Sequence, residues 1–110
     1  MMPGDVWWAR VGDVLPVVLL SAPQEREIRA VFVVEPARVN IDGVCVELPI
    51  GRDEGLPDAR VVRVATPQEG AIPCNWLVTL GEDDLVERAG ALSAEKLQEL
   101  MRMMTRAGLD

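Results

Sequence analysis

The stretch Gly4-Asp5-Val6-Trp7-Trp8-Ala9-Arg10-Val11-Gly12-Asp13-Val14-Leu15-Pro16-Val17-Val18-Leu19-Leu20 decides the fold. Its first half, Gly4 to Val11, reads as a strand with Val6, Trp8 and Val11 toward the apolar side. Gly12-Asp13 is a turn signal. Val14 to Leu20 follows as a second strand, with an apolar run continuous enough to be buried on both faces. Pro16 falls near its beginning, where a missing ladder donor is tolerated. Adjacent side chains of a strand point to opposite faces, so only one of Trp7 and Trp8 is expected to face a core. The other then lies on an exposed or interface surface, where tryptophan anchors partners or stacks on bases.

The same reading extends toward the C-terminus. Ser21 to Arg26 is a polar loop, and Arg29 to Val34 is a third strand stopped by Glu35-Pro36. The turn Asn40-Ile41-Asp42-Gly43 leads into a fourth strand, Val44 to Leu48, and Gly51 to Pro57 is a polar loop. Ala59 to Ala65 is a fifth strand. After Pro67-Gln68-Glu69-Gly70, a long apolar strand is expected from Ala71 to Leu80, carrying Cys74 and Trp76. Five or six closely spaced strands favour a small barrel over an open sheet. Glu82 to Arg88 reads as a short helical segment ended at Gly90.

A longer helix begins at Ser93, a good N-cap, with Glu95 in its first turn. Leu97, Leu100, Met101 and Met104 give it one apolar face, and Gly108 is the stop signal. The fold class is thus mainly β with a C-terminal helix (α+β), in a single domain spanning 1–110.

Composition narrows the function classes. With 49% apolar residues in 110, one core is within reach of the chain and disorder is not expected. No apolar run approaches the ~20 residues of a membrane helix, and the first residues lack the basic region of a signal peptide. A cytoplasmic protein without membrane contact is the expectation. Cys45 and Cys74 lie in apolar strand-like segments and read as buried free thiols. Without histidine there is no metal pattern and no triad, and no metal is expected. The net charge of −7 lowers the prior for nucleic acid, although a local arginine cluster overrides net charge. Ten of the eleven basic residues are arginine; Lys96 is the one lysine. Arg60 and Arg63 are an odd number apart and face opposite sides of their strand.

Taken together, Gly4-Asp5-Val6-Trp7-Trp8, Leu15-Pro16-Val17-Val18-Leu19-Leu20-Ser21, Leu77-Val78-Thr79-Leu80 and Arg88-Ala89-Gly90-Ala91-Leu92-Ser93 resemble the MazF/PemK (Kid-like) toxins of type II toxin–antitoxin systems. The resemblance runs in order along essentially the whole chain. It implies a CcdB-MazF-type, SH3-like barrel that forms a homodimer. It also implies a metal-independent, cofactor-free endoribonuclease that inhibits growth by cleaving single-stranded RNA to a 2′,3′-cyclic phosphate. A cognate antitoxin would neutralise it with an extended C-terminal segment. Asp5 matches the family's acidic position. Leu15 stands where the family places an arginine, and the strand-ending hydroxyl is replaced by Pro36 or Ala37. Arg38, next to that position, is the candidate catalytic cation. Candidates for the RNA or antitoxin face are Asp5, Trp7, Arg10, Ser21, Asn75 and Trp76. Two alternatives stay open: a catalytically silent barrel that binds protein or nucleic acid, and a CcdB-like gyrase inhibitor. The ending Ala107-Gly108-Leu109-Asp110 lacks the latter's Trp-Gly-Ile tail.

Overall fold

The computed structural model describes residues 1–65 and 77–108. In chain order the elements are β1 (Asp5–Val11), β2 (Asp13–Leu19), β3 (Glu27–Val34), β4 (Cys45–Ile50), a 3₁₀ turn (Arg52–Glu54), β5 (Arg60–Ala65), β6 (Leu77–Gly81), a second 3₁₀ turn (Glu82–Asp84), β7 (Leu85–Ala91) and α1 (Ala94–Arg106). The expected class holds, with seven strands among the described residues rather than five or six. Among those residues no helix is long and apolar enough to cross a membrane.

Gly12 alone, at φ 77°, turns β1 back onto β2, so that Val11 pairs with Asp13 and Trp8 with Pro16. The strands run in the order β4-β5-β3-β2-β1-β7, all described pairings being antiparallel, and β6 also pairs with β3. β3 is the pivot. Its first half, Glu27 to Val31, pairs with β6, while Val33 and Val34 pair with β5. One strand therefore carries the sheet from one layer into the other.

Alternation along β1, β2 and β3 gives this sheet two apolar faces. Val6, Val18, Val31 and Val33 face β4, β5 and the helix, packing with Leu48, Ile50, Val62, Leu100 and Met104. Ala9, Val17, Leu19, Ile28, Ala30 and Leu80 form a second cluster on the opposite face. This changes the expectation for the tryptophans. Trp8 packs against the first cluster and Trp7 against the second, so both of the pair meet a core. Each side chain is half-buried.

Other expectations are corrected as well. Glu82 to Arg88 is not a helical segment: three residues make a 3₁₀ turn and β7 follows, pairing with β1. β2 is buried on both faces only from Pro16 onward, since Val14 and Leu15 are exposed. The buried face of α1 is Leu100, Met103 and Met104, with Ala107 beyond its end; Leu97 and Met101 are half-buried flanks. Cys45 is half-buried and free, whereas Cys74 lies outside the described residues.

The helix starts as the sequence indicates. Ser93 Oγ accepts a hydrogen bond from the Lys96 amide at 3.1 Å. The Lys96 ammonium then donates to Glu54 Oε2 at 3.0 Å and to the Pro49 carbonyl at 2.8 Å. The Glu54 carboxylate is buried, and its other oxygen accepts from the Gly51 amide at 2.7 Å. The sole lysine thus ties the helix start to the first 3₁₀ turn and the end of β4.

Candidate functional site

Asp5 is a buried carboxylate held by its own neighbourhood. It accepts from the Met2 amide at 3.0 Å and lies 3.4 Å from Arg88 and 3.9 Å from the N-terminal amine. These contacts fix the first turn and join it to β7. Trp7, two residues on along the same face, buries its indole N–H with no acceptor among the described residues. Trp8 lies on the other face beneath Arg60, whose guanidinium carbon is 5.7 Å from the ring centroid. Arg60 also pairs with Asp58 at 2.8 Å. Arg10 continues the Trp8 row, exposed and opposite Val14 near the hairpin tip.

Ser21 follows β2. Its hydroxyl accepts from the Arg29 amide at 3.1 Å, and both residues line an open groove of ≈ 920 Å³. Gln24, Glu25, Glu27 and Thr79 complete the polar lining. The groove owes its wall to an unusual turn. Gln24 and Glu27 exchange backbone hydrogen bonds at 2.9 and 2.8 Å, while Glu25 and Arg26 between them have φ of 52° and 71°. Positive φ at both central residues is the type I′ pattern, usually given to Asn-Gly. From the sequence this segment is a plain polar loop. Nothing in it announces the turn or its meeting with Thr79.

Arg38 stands apart from this groove, in the segment between β3 and β4. Its side chain is 91% exposed and pairs only loosely with Glu35, at 3.9 Å. Arg63 is the arginine that organises the same end of β3. It donates to Glu47 at 2.9 Å and to the Glu35 carbonyl at 2.8 Å, while Glu47 also accepts from the Ala37 amide. Asn75 and Trp76 lie outside the described residues. The candidates therefore divide. Ser21 opens onto the groove, Asp5 and Trp7 are packed into the fold, Arg10 marks the hairpin tip, and Arg38 is a solvated cation. Among the described residues no group of three or more Cys, Asp or Glu is arranged to hold a metal ion.

This architecture, a bent antiparallel sheet closed by one C-terminal helix, is that of the MazF toxins. The Mycobacterium tuberculosis toxin MazF-mt6 superposes with a TM-score of 0.69 at 20% identity, over 96% of this chain and 98% of that one. An endoribonuclease in complex with its cognate antitoxin, from a mycobacterial species, gives 0.65 at 16% identity, over 100% and 95%. A further mycobacterial endoribonuclease gives 0.65 at 16%, over 99% and 92%. No family model and no curated protein matches the sequence significantly.

Proposed function

We propose that this chain is a MazF-type toxin of a toxin–antitoxin pair, acting in the cytoplasm on single-stranded RNA as a homodimer. The supporting observation is the end-to-end likeness. The chain matches toxin and endoribonuclease structures over at least 96% of its own length and 92% of theirs, leaving no part of the fold unmatched by a large insertion. The antitoxin-bound neighbour supports a protein partner of the same kind here.

The reaction has simple requirements. A base removes the 2′-hydroxyl proton, the oxygen attacks the adjacent phosphorus, and the 5′-oxygen leaves, giving a 2′,3′-cyclic phosphate and a free 5′-hydroxyl. A cation or donor stabilises the charge that builds on the phosphorane, an effect worth about a hundredfold or more per donor. Arg38 is the candidate for that role, and its solvated position leaves it able to swing onto a phosphate. Arg10 and Ser21 are the other polar groups proposed for the RNA face. No cofactor or metal is called for in this scheme.

Induced expression followed by incubation of the purified protein with long unstructured RNA tests the proposal. Growth arrest with cyclic-phosphate RNA ends, reduced at least tenfold in Arg38→Ala, is the expected result. Intact RNA at high protein concentration would reject the enzyme. Retained RNA or peptide binding under those conditions would leave the second reading, a barrel used only for binding. The net charge of −7 and the apolar Leu15 at the family's arginine position favour that second reading.

A further inference from the structure

We propose that the Arg63–Glu47 pair is a positioning device for Arg38, a bracket across β4 and β5 that grips the chain on both sides of Pro36. The inference rests on the reading of Arg38 as the cation that meets the RNA phosphate, and it names the two residues through which Arg38 is placed.

The bracket begins with strand register. Glu47 of β4 and Arg63 of β5 are directly opposed in the antiparallel ladder, where facing Cβ atoms lie within about 5.5 Å. Their neighbours Leu48 and Val62 turn into the core, so alternation puts Glu47 and Arg63 on the other face. Arg63 Nε donates to Glu47 Oε2 at 2.9 Å, and only 17% and 21% of the two side chains are exposed. A pair this covered is screened much less by salt than a surface pair.

Each partner makes a second hydrogen bond, and both of these go to the segment that follows β3. Arg63 Nη2 donates to the Glu35 carbonyl at 2.8 Å, and the same Glu47 oxygen accepts from the Ala37 amide at 3.1 Å. Pro36 lies between the two held atoms. Its ring fixes φ at about −65°, and the residue before it is pushed toward extended backbone. With planar peptide bonds on either side, ψ of Pro36 is the one soft dihedral left between the anchors. Arg38 follows at once, its Cα about 3.8 Å beyond that of Ala37. Its side chain is 91% exposed and meets Glu35 at 3.9 Å. A solvated arm thus stands on a fixed base. Such a base bears on rate, because misplacing a reacting group by about 1 Å costs up to a hundredfold.

The chemistry of the bracket is specific. The arginine fork reaches the Glu47 carboxylate through Nε and the Glu35 carbonyl through Nη2, whereas a lysine ammonium is a compact point charge. On the other side one Glu47 oxygen serves both donors, so glutamine keeps an acceptor there and alanine does not.

The test uses the full chain with Arg63→Lys, Glu47→Gln, Glu47→Ala, Arg38→Ala and the double variant Arg63→Lys/Arg38→Ala. The first readout needs no RNA. Solvent exchange of the Ala37 amide, followed by NMR of ¹⁵N-labelled protein, should speed up about tenfold in Arg63→Lys and Glu47→Ala, and less in Glu47→Gln. The second readout is single-turnover cleavage of unstructured RNA at saturating protein. Arg63→Lys keeps the net charge, so it should cleave about three- to tenfold more slowly with RNA affinity within about twofold of the parent chain. Glu47→Gln should recover most of the rate lost in Glu47→Ala. In the Arg38→Ala background Arg63→Lys should slow cleavage no further, because its effect passes through Arg38.

An equal loss from Arg63→Lys with and without Arg38 would overturn the bracket's role alone, since a general effect on folding does not depend on Arg38. So would an Ala37 amide that exchanges alike in every variant, or cleavage unchanged once that amide is released. Cleavage indifferent to Arg38→Ala would reject the reading of Arg38, and its placement with it, whatever the exchange data show. Intact RNA with the parent chain would reject the nuclease and this role together.

Discussion

A Cβ built on Gly90 would lie 2.3 Å from the Glu54 carbonyl oxygen, and one on Gly55 would lie 2.0 Å from the Ala89 oxygen. Here the first 3₁₀ turn and β7 meet backbone to backbone. Gly90→Ala should therefore cost about 2–4 kcal/mol, as overpacking does where the neighbour is main chain and cannot yield; a lower urea midpoint at unchanged slope would show it. The same turn holds the Glu54–Lys96 pair. Lys96→Met leaves a buried carboxylate without its cation, which for a fully buried pair costs 3–5 kcal/mol. Lys96 keeps 31% of its side chain exposed, so about 2 kcal/mol is expected from the same measurement. At Glu25 and Arg26 the sign reverses. Both side chains sit at positive φ, so Glu25→Asn with Arg26→Gly should raise stability by about 1–2 kcal/mol. A loss of stability on that exchange would mean that the two side chains hold the turn by contacts of their own.

Helix α1 shows how a correct element can carry a misplaced face. Its cap at Ser93 and its end near Gly108 are legible from residue chemistry alone, because capping is local. Which of the five positions Leu97, Leu100, Met101, Met103 and Met104 faces the core depends on the direction of docking, and that is not local. Met103→Ala should cost about 2–4 kcal/mol, whereas Met101→Ala should cost less than half as much. Equal losses at the two sites would contradict the packing. β7 makes the same point more strongly. Glu87, Arg88 and Ala89 favour helix, and the acidic Glu82-Asp83-Asp84 looks like a helix start. Pairing with β1 overrides those preferences, and only the neighbouring strand reveals it. Trp7 and Trp8 were legible as a two-faced pair. That the second face is also apolar follows from Ile28 and Leu80, brought in by β3 and β6. The groove was not legible, since Ser21, Arg29 and Thr79 meet only after β6 has paired.

At the scale of the whole molecule, charge separates the proposed associations by their response to salt. Each chain carries −7, so two copies approaching as a homodimer repel one another. The repulsion reaches about 30 Å at 0.01 M salt but only about 8 Å at 0.15 M. The apolar part of any shared interface is not weakened by that screening. Dimer formation should therefore tighten as salt rises over this range, seen as a larger dimer fraction in sedimentation velocity at fixed protein concentration. RNA binding should move the other way. A bound strand sheds condensed counterions for each phosphate that an arginine neutralises, so its affinity falls as salt rises, with a slope of about −0.7 per contact on single strands. One phosphate contact each from Arg10 and Arg38 would give a slope of about −1.4 in fluorescence polarisation of a labelled RNA. A dimer that dissociates with salt would show an interface held by ion pairs. An RNA affinity indifferent to salt would show that these arginines do not touch phosphate, and would turn the search toward stacking on the tryptophans.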